Sequence, residues 1–85
     1  MKNYYFVAEY EKNGCFYAMA EKYDDGINLY AAIKDRELYG GIKMVSLTIM
    51  ETNKKAYKMA NFWNECFSKN GTYMYSKENM ERLGL

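Results

Sequence analysis

Residues 3–23, NYYFVAEYEKNGCFYAMAEKY, are two runs of strand-forming residues split by Asn13-Gly14. Asn-Gly accepts positive φ at both central positions of a type I′ turn, whose twist matches that of an antiparallel ribbon. With Asn13 and Gly14 as the loop, Lys12 pairs with Cys15, Tyr10 with Tyr17, Ala8 with Met19 and Phe6 with Glu21. Alternation then sorts the side chains onto two faces. Tyr4, Phe6, Tyr10, Tyr17, Met19 and Tyr23 share the more aromatic one, with Ala8 and Glu21 among them. The other face carries Tyr5, Val7, Glu9, Glu11, Phe16, Ala18, Ala20 and Lys22; it is small toward its middle, which lets a helix approach closely, and neither face is cleanly polar.

Asp24-Asp25-Gly26 reads as a turn. Residues 27–41 then suggest a short helix over about 29–36, with Asn28 as N-cap, Leu29, Ala32 and Ile33 on one side, and Gly40-Gly41 as the stop. Residues 42–50 alternate again and predict a third strand whose buried face is Val45, Leu47 and Ile49. Thr52 can cap a helix over 53–69, with Ala56, Met59, Ala60, Trp63, Cys66 and Phe67 as its apolar stripe. Asn70-Gly71 ends that helix, because glycine enters the left-handed conformation without a Cβ clash. Residues 72–75, TYMY, are extended and either add a fourth strand or cover the end of the core. The fold class is therefore α+β, in the order β-β-α-β-α. The sheet has three or four strands, antiparallel or mixed, with the 53–69 helix on one face and the aromatic face open. Residues 1–75 make one domain, and 76–85 are a C-terminal tail, frayed or a short helix capped by Ser76 and anchored by Met80 and Leu83.

Composition narrows function mainly by exclusion. A chain of 85 residues has a thin core, here supplied by ten tyrosines, four phenylalanines, one tryptophan and seven methionines. There is no histidine, which removes the commonest general base and zinc ligand. Cys15 and Cys66 are too few and too distant for a structural zinc site and read as reduced thiols. Gly40-Gly41 lacks the lysine and hydroxyl residue of a phosphate loop, and the pairs Glu9/Glu11 and Asp24/Asp25 fit solvated surface better than a hydrolase cleft. A protein without catalysis, metal or cofactor is expected. A net charge of +1 argues against a purely electrostatic nucleic-acid binder. No apolar run reaches the roughly 20 residues of a membrane span, and no signal-peptide core opens the chain, so the expected location is cytoplasmic.

Two groups of residues remain as candidates for contact. Tyr4, Phe6, Tyr10, Tyr17 and Met19 stay outward if the helix 53–69 covers the opposite face, unless the helix at 27–39 or the C-terminal tail covers them as ordinary core; tyrosine supplies contact area at little entropic cost. They point to a protein partner or a homodimer. Lys54, Lys55 and Lys58 crowd the N-terminal turns of helix 53–69, where the macrodipole disfavours cations, and suggest an anion or nucleic-acid phosphate as the alternative partner.

The segments YYFVAEYEKNG (4–14), FYA (16–18) and FWNECFSKNGTYMY (62–75) resemble a family of small hypothetical proteins from mobile and conjugative elements of gut-type Firmicutes. The resemblance spans most of 3–75 and carries no catalytic residues. It implies a bacterial accessory role. A looser similarity, of fold order alone, links the chain to the arm-type DNA-binding domain of tyrosine recombinases. The helix at 27–39 and a sheet with few cations, Lys22 and Lys43, set it apart.

Overall fold

The computed structural model describes residues 4–23 and 26–85. Its elements are β1 (Tyr4–Lys12), β2 (Cys15–Tyr23), α1 (Gly26–Gly40), β3 (Lys43–Met50), α2 (Asn53–Lys69) and α3 (Lys77–Leu83). Asn13 at φ 49° and Gly14 at φ 80° form the type I′ turn, and the β1–β2 register is the one expected from Asn-Gly. Of the turn expected at Asp24-Asp25-Gly26, the two aspartates lie outside the described residues.

The sheet is antiparallel, with strand order β2-β1-β3. Its central strand is therefore the first in sequence. An extra residue, Val45, bulges between the pairs Glu9–Ser46 and Tyr10–Met44. The short segment 72–75 adds a single parallel bridge, Phe16 with Tyr73, and buries Met74 completely, so it both extends the sheet and covers the core.

Helix α2 lies across β2 and β1 on the Val7/Ala18 face. Ala56 and Ala60 meet Ala18 and Val7 there, and four small side chains allow close approach. Phe16, Phe67 and Trp63 stack in series beside them, with centroids 5.4 and 6.3 Å apart. Thr52 Oγ1 caps α2 by accepting the Lys55 N–H at 3.2 Å. At the other end the N–H groups of Gly71 and Thr72 bond Ser68 O and Phe67 O at 3.1 and 2.8 Å, with Gly71 at φ 72°. That is a Schellman stop, and it explains why the chain leaves the helix at Asn70-Gly71 and runs back under β2.

Helix α1 begins at Gly26, so Asn28 lies within its first turn and is not the N-cap. It is longer than the 29–36 expected and runs to Gly40. Leu29 and Ile33 pack on Phe6, with Tyr23 and Met44 at the margin. The sheet is thus covered on both faces, contrary to the expectation of a single covering helix. Helix α3, capped by Ser76, belongs to the same core: Asn79 is buried and donates to Gly71 O and Tyr73 O at 3.1 and 2.8 Å, while Leu83 packs near Cys15 and Met74.

Candidate interaction surface

The five residues expected to form an outward aromatic face are divided by the structure. Phe6, Tyr10 and Tyr17 are buried, and only Tyr4 and Met19 are exposed. The cause is coverage from two directions. Helix α1 seals Phe6, and Met74 with Leu83 seals Tyr10 and Tyr17. Tyr10 and Tyr17 stack at 4.9 Å, and Tyr75 closes edge-on against Tyr17 at 4.9 Å. These rings are core and are withdrawn as a docking face.

Their polar tips are satisfied inside. The Tyr10 hydroxyl donates to Glu21 Oε2 at 3.2 Å and accepts from Arg36 Nη1, which also pairs with Glu21 Oε1. The Arg36 guanidinium lies 5.1 Å from the Tyr10 ring centroid. Burial of its charge works against Arg36, but the hydrogen bond and the charge of Glu21 outweigh it and hold the guanidinium protonated. Burial, then the charge of Glu21, pushes the Tyr10 phenol far above its ordinary value, opposed by Arg36. Burial, then Tyr75, does the same to Tyr17. The folded chain therefore holds these two protons more tightly than the unfolded chain does. Stability from this source is complete below about pH 10, the ordinary phenol value, and is lost as pH rises through the folded values. Guanidinium unfolding should show a midpoint that falls steadily above about pH 10; a midpoint flat to about pH 12 contradicts this placement of the two rings.

Cys15 and Cys66 are both free thiols. Cys15, although next to the turn, is fully buried, and the Arg82 guanidinium reaches its Sγ. Of the carboxylate pair on β1, Glu9 accepts a hydrogen bond from Ser46 Oγ across the strands at 2.9 Å. Among the described residues no group of three or more Cys, Asp or Glu side chains is placed to hold a metal ion.

The surface left open lies elsewhere. Val45, Leu47 and Ile49, expected to be buried, are 41%, 40% and 74% exposed. Strand order explains this: β3 is at the sheet edge, α2 lies over β2 and β1, and α1 covers β3 only near Met44. Between α1 and β3 a cleft of 290 Å³ opens, lined by Phe6, Leu29, Tyr30, Ile33, Met44 and Leu47 with Lys34 and Glu37 at its rim. Ile27, Leu38 and Tyr39 of α1 are exposed as well. The period-2 alternation of 42–50 signalled a strand but gave no sign that its apolar face lacks a cover.

A second open site gathers part of the lysine cluster. Lys55 and Lys58 line a shallow cleft of 380 Å³ with Met50, Met59, Phe62 and Trp63. Lys54 is exposed but stands outside it. Lys55 Nζ bonds Glu51 Oε2 at 2.8 Å, which draws the exposed Glu51 carboxyl below the usual range and offsets part of the macrodipole cost. Trp63, expected in the buried stripe, is partly exposed, with Phe62 edge-on at 5.7 Å.

No protein-family model matches the chain, and no curated protein or solved structure matches it either. Among the described residues no helix is long and apolar enough to cross a membrane.

Proposed function

We propose that this chain is a small non-catalytic interaction module that works by protein–protein contact, in a bacterial accessory role of the kind its sequence resemblance implies. The observation that supports this is the run of exposed apolar side chains on β3 and α1. Leu47 lines the cleft together with Tyr30 and Leu29, and Val45 and Ile49 are exposed on either side of it along the strand. A contiguous apolar patch of this kind marks contact surfaces more than scattered exposed residues do. Immobilised wild-type chain should retain a defined protein, another molecule of itself included, that an Ile49→Lys variant of unchanged circular dichroism loses. If neither the chain itself nor any other protein is retained differently by the two, the proposal fails.

A second reading, a nucleic-acid-binding accessory protein of a mobile element, is favoured by one site. Phe62 and Trp63 stand beside Lys55 and Lys58 in one cleft, the pairing of rings and cations that single strands use. Salt-dependent binding of single-stranded DNA or RNA, lost in Trp63→Ala and in Lys55→Ala/Lys58→Ala, is what it requires.

A further inference from the structure

The cleft between α1 and β3 has the shape of a slot. On the helix side Leu29, Ile33 and Glu37 recur every fourth residue, so the lining follows the helix axis. From Leu29 to Glu37 the helix rises about 12 Å, which sets the length. A volume of 290 Å³ over that length gives a mean section of about 24 Å², room for one unbranched alkyl chain lying along α1. The floor is core: Phe6, Leu29 and Ile33 are buried, and Met44 and Leu47 complete the strand side. Helix α1 is tied to the hairpin by Leu29 and Ile33 on Phe6 and by Arg36 on Glu21. None of these contacts fills the gap toward Leu47. The other apolar cleft, beside Trp63, has no such floor, since none of its lining residues is buried.

The rim of the slot carries one charge of each sign. Lys34 Nζ stands 3.6 Å from Glu37 Oε2, beyond the roughly 2.7–2.9 Å of a direct charge-assisted bond. The two side chains are 55% and 34% exposed, so the pair is held weakly. The Lys34 ammonium also lies 5.4 Å from the Tyr30 ring centroid, which keeps it over the mouth. A charged head is attracted by one of the pair and repelled by the other. A hydroxyl suits both, because it accepts from Lys34 Nζ and donates to the Glu37 carboxylate.

We propose that this slot binds an unbranched aliphatic chain of about ten carbons with a hydroxyl head, the chain along α1 and the head between Lys34 and Glu37. A dry apolar cavity of roughly 150 Å³ takes benzene, so 290 Å³ sets a ceiling of about twelve carbons. The inference goes beyond the protein-contact reading and stands apart from it. Val45 and Ile49, which flank the slot, do not line it, so the Ile49→Lys test of that reading and the binding of a chain here fail independently.

Titration of the methyl-labelled full chain with primary alcohols, followed by NMR, tests this. Octanol should bind with a Kd of about 100 μM, in keeping with its few heavy atoms. It should shift the methyl signals of Leu29, Ile33, Met44 and Leu47 and leave those of Met50 and Met59 in place. Affinity should rise about fourfold per methylene from hexanol to decanol and level off by dodecanol, where the slot is full. Octanoate and octylammonium should each bind at least about fivefold more weakly than octanol, the worth of one hydrogen bond. Lys34→Glu should reverse that order in favour of octylammonium. Leu47→Trp, at a half-exposed position, should fill the slot and abolish binding with circular dichroism unchanged. No shift at about 1 mM octanol, or Leu47→Trp binding as the wild type does, overturns the site. Equal shifts at Met50 and Met59, or a fourfold gain that continues to dodecanol, overturn the slot. Octanoate binding more tightly than octanol overturns the head group.

Discussion

Replacing Arg36 with methionine should lower the thermal midpoint by roughly 12–24 °C, the equivalent of about 3 kcal/mol in a domain of this size. The Glu21 side chain is only 3% exposed and faces Phe6 across the hairpin, surrounded by rings. Arg36 supplies the opposite charge and a bond to the Tyr10 hydroxyl. Without it a carboxylate is left buried, with one neutral phenol as partner. The Arg36 side chain is itself 27% exposed, which places the loss at the lower end of the range for breaking a buried pair. The double variant Arg36→Met/Glu21→Leu should recover most of the midpoint, since removing both charges removes the desolvation cost as well. A single variant that unfolds within about 4 °C of the wild type would show that water reaches Glu21 freely.

The parts of this fold legible in the sequence are those with local causes. Asn13-Gly14 dictates its own turn, and the turn dictates the register of nine residue pairs. Thr52, the alanine-rich stripe and Asn70-Gly71 likewise define α2 within one segment. Relations between segments were less accessible. Alternation in 43–50 looks the same in an edge strand as in a central one, so the exposure of Val45, Leu47 and Ile49 followed only from strand order. The outward aromatic face failed for the same reason. Whether α1 and the 72–85 segment cover Phe6, Tyr10 and Tyr17 depends on the path of the chain, which periodicity does not record. One signal was present. Glu21 falls among aromatic side chains on the hairpin's inner face, and such a carboxylate requires a cation from another element. With only two arginines in the chain, Arg36 and Arg82 were the natural candidates.

Met74→Ala should cost about 3 kcal/mol, a large share of the roughly 4–13 kcal/mol that a chain of this length commands. Met74 is fully buried against Ala8, Tyr10, Cys15 and Tyr17, where its unbranched side chain fills the space between two stacked rings and the start of β2. The backbone bonds of Phe16 to Thr72 and Met74, and those of Asn79 to Gly71 and Tyr73, do not depend on the Met74 side chain. Truncation therefore leaves the segment seated over a cavity, and two consequences can be separated. If the segment stays in place, urea unfolding shows the full loss while labelling of the Cys15 thiol accelerates only in proportion to global opening. If the segment detaches, Cys15 labels faster than global unfolding permits, because the residues that seal it are Met74 and those that follow. The first outcome is expected, since four backbone and amide hydrogen bonds still hold 71–74 to β2 and α3. A loss under about 1 kcal/mol would mean that Met74 does not fill the core beneath β1 and β2.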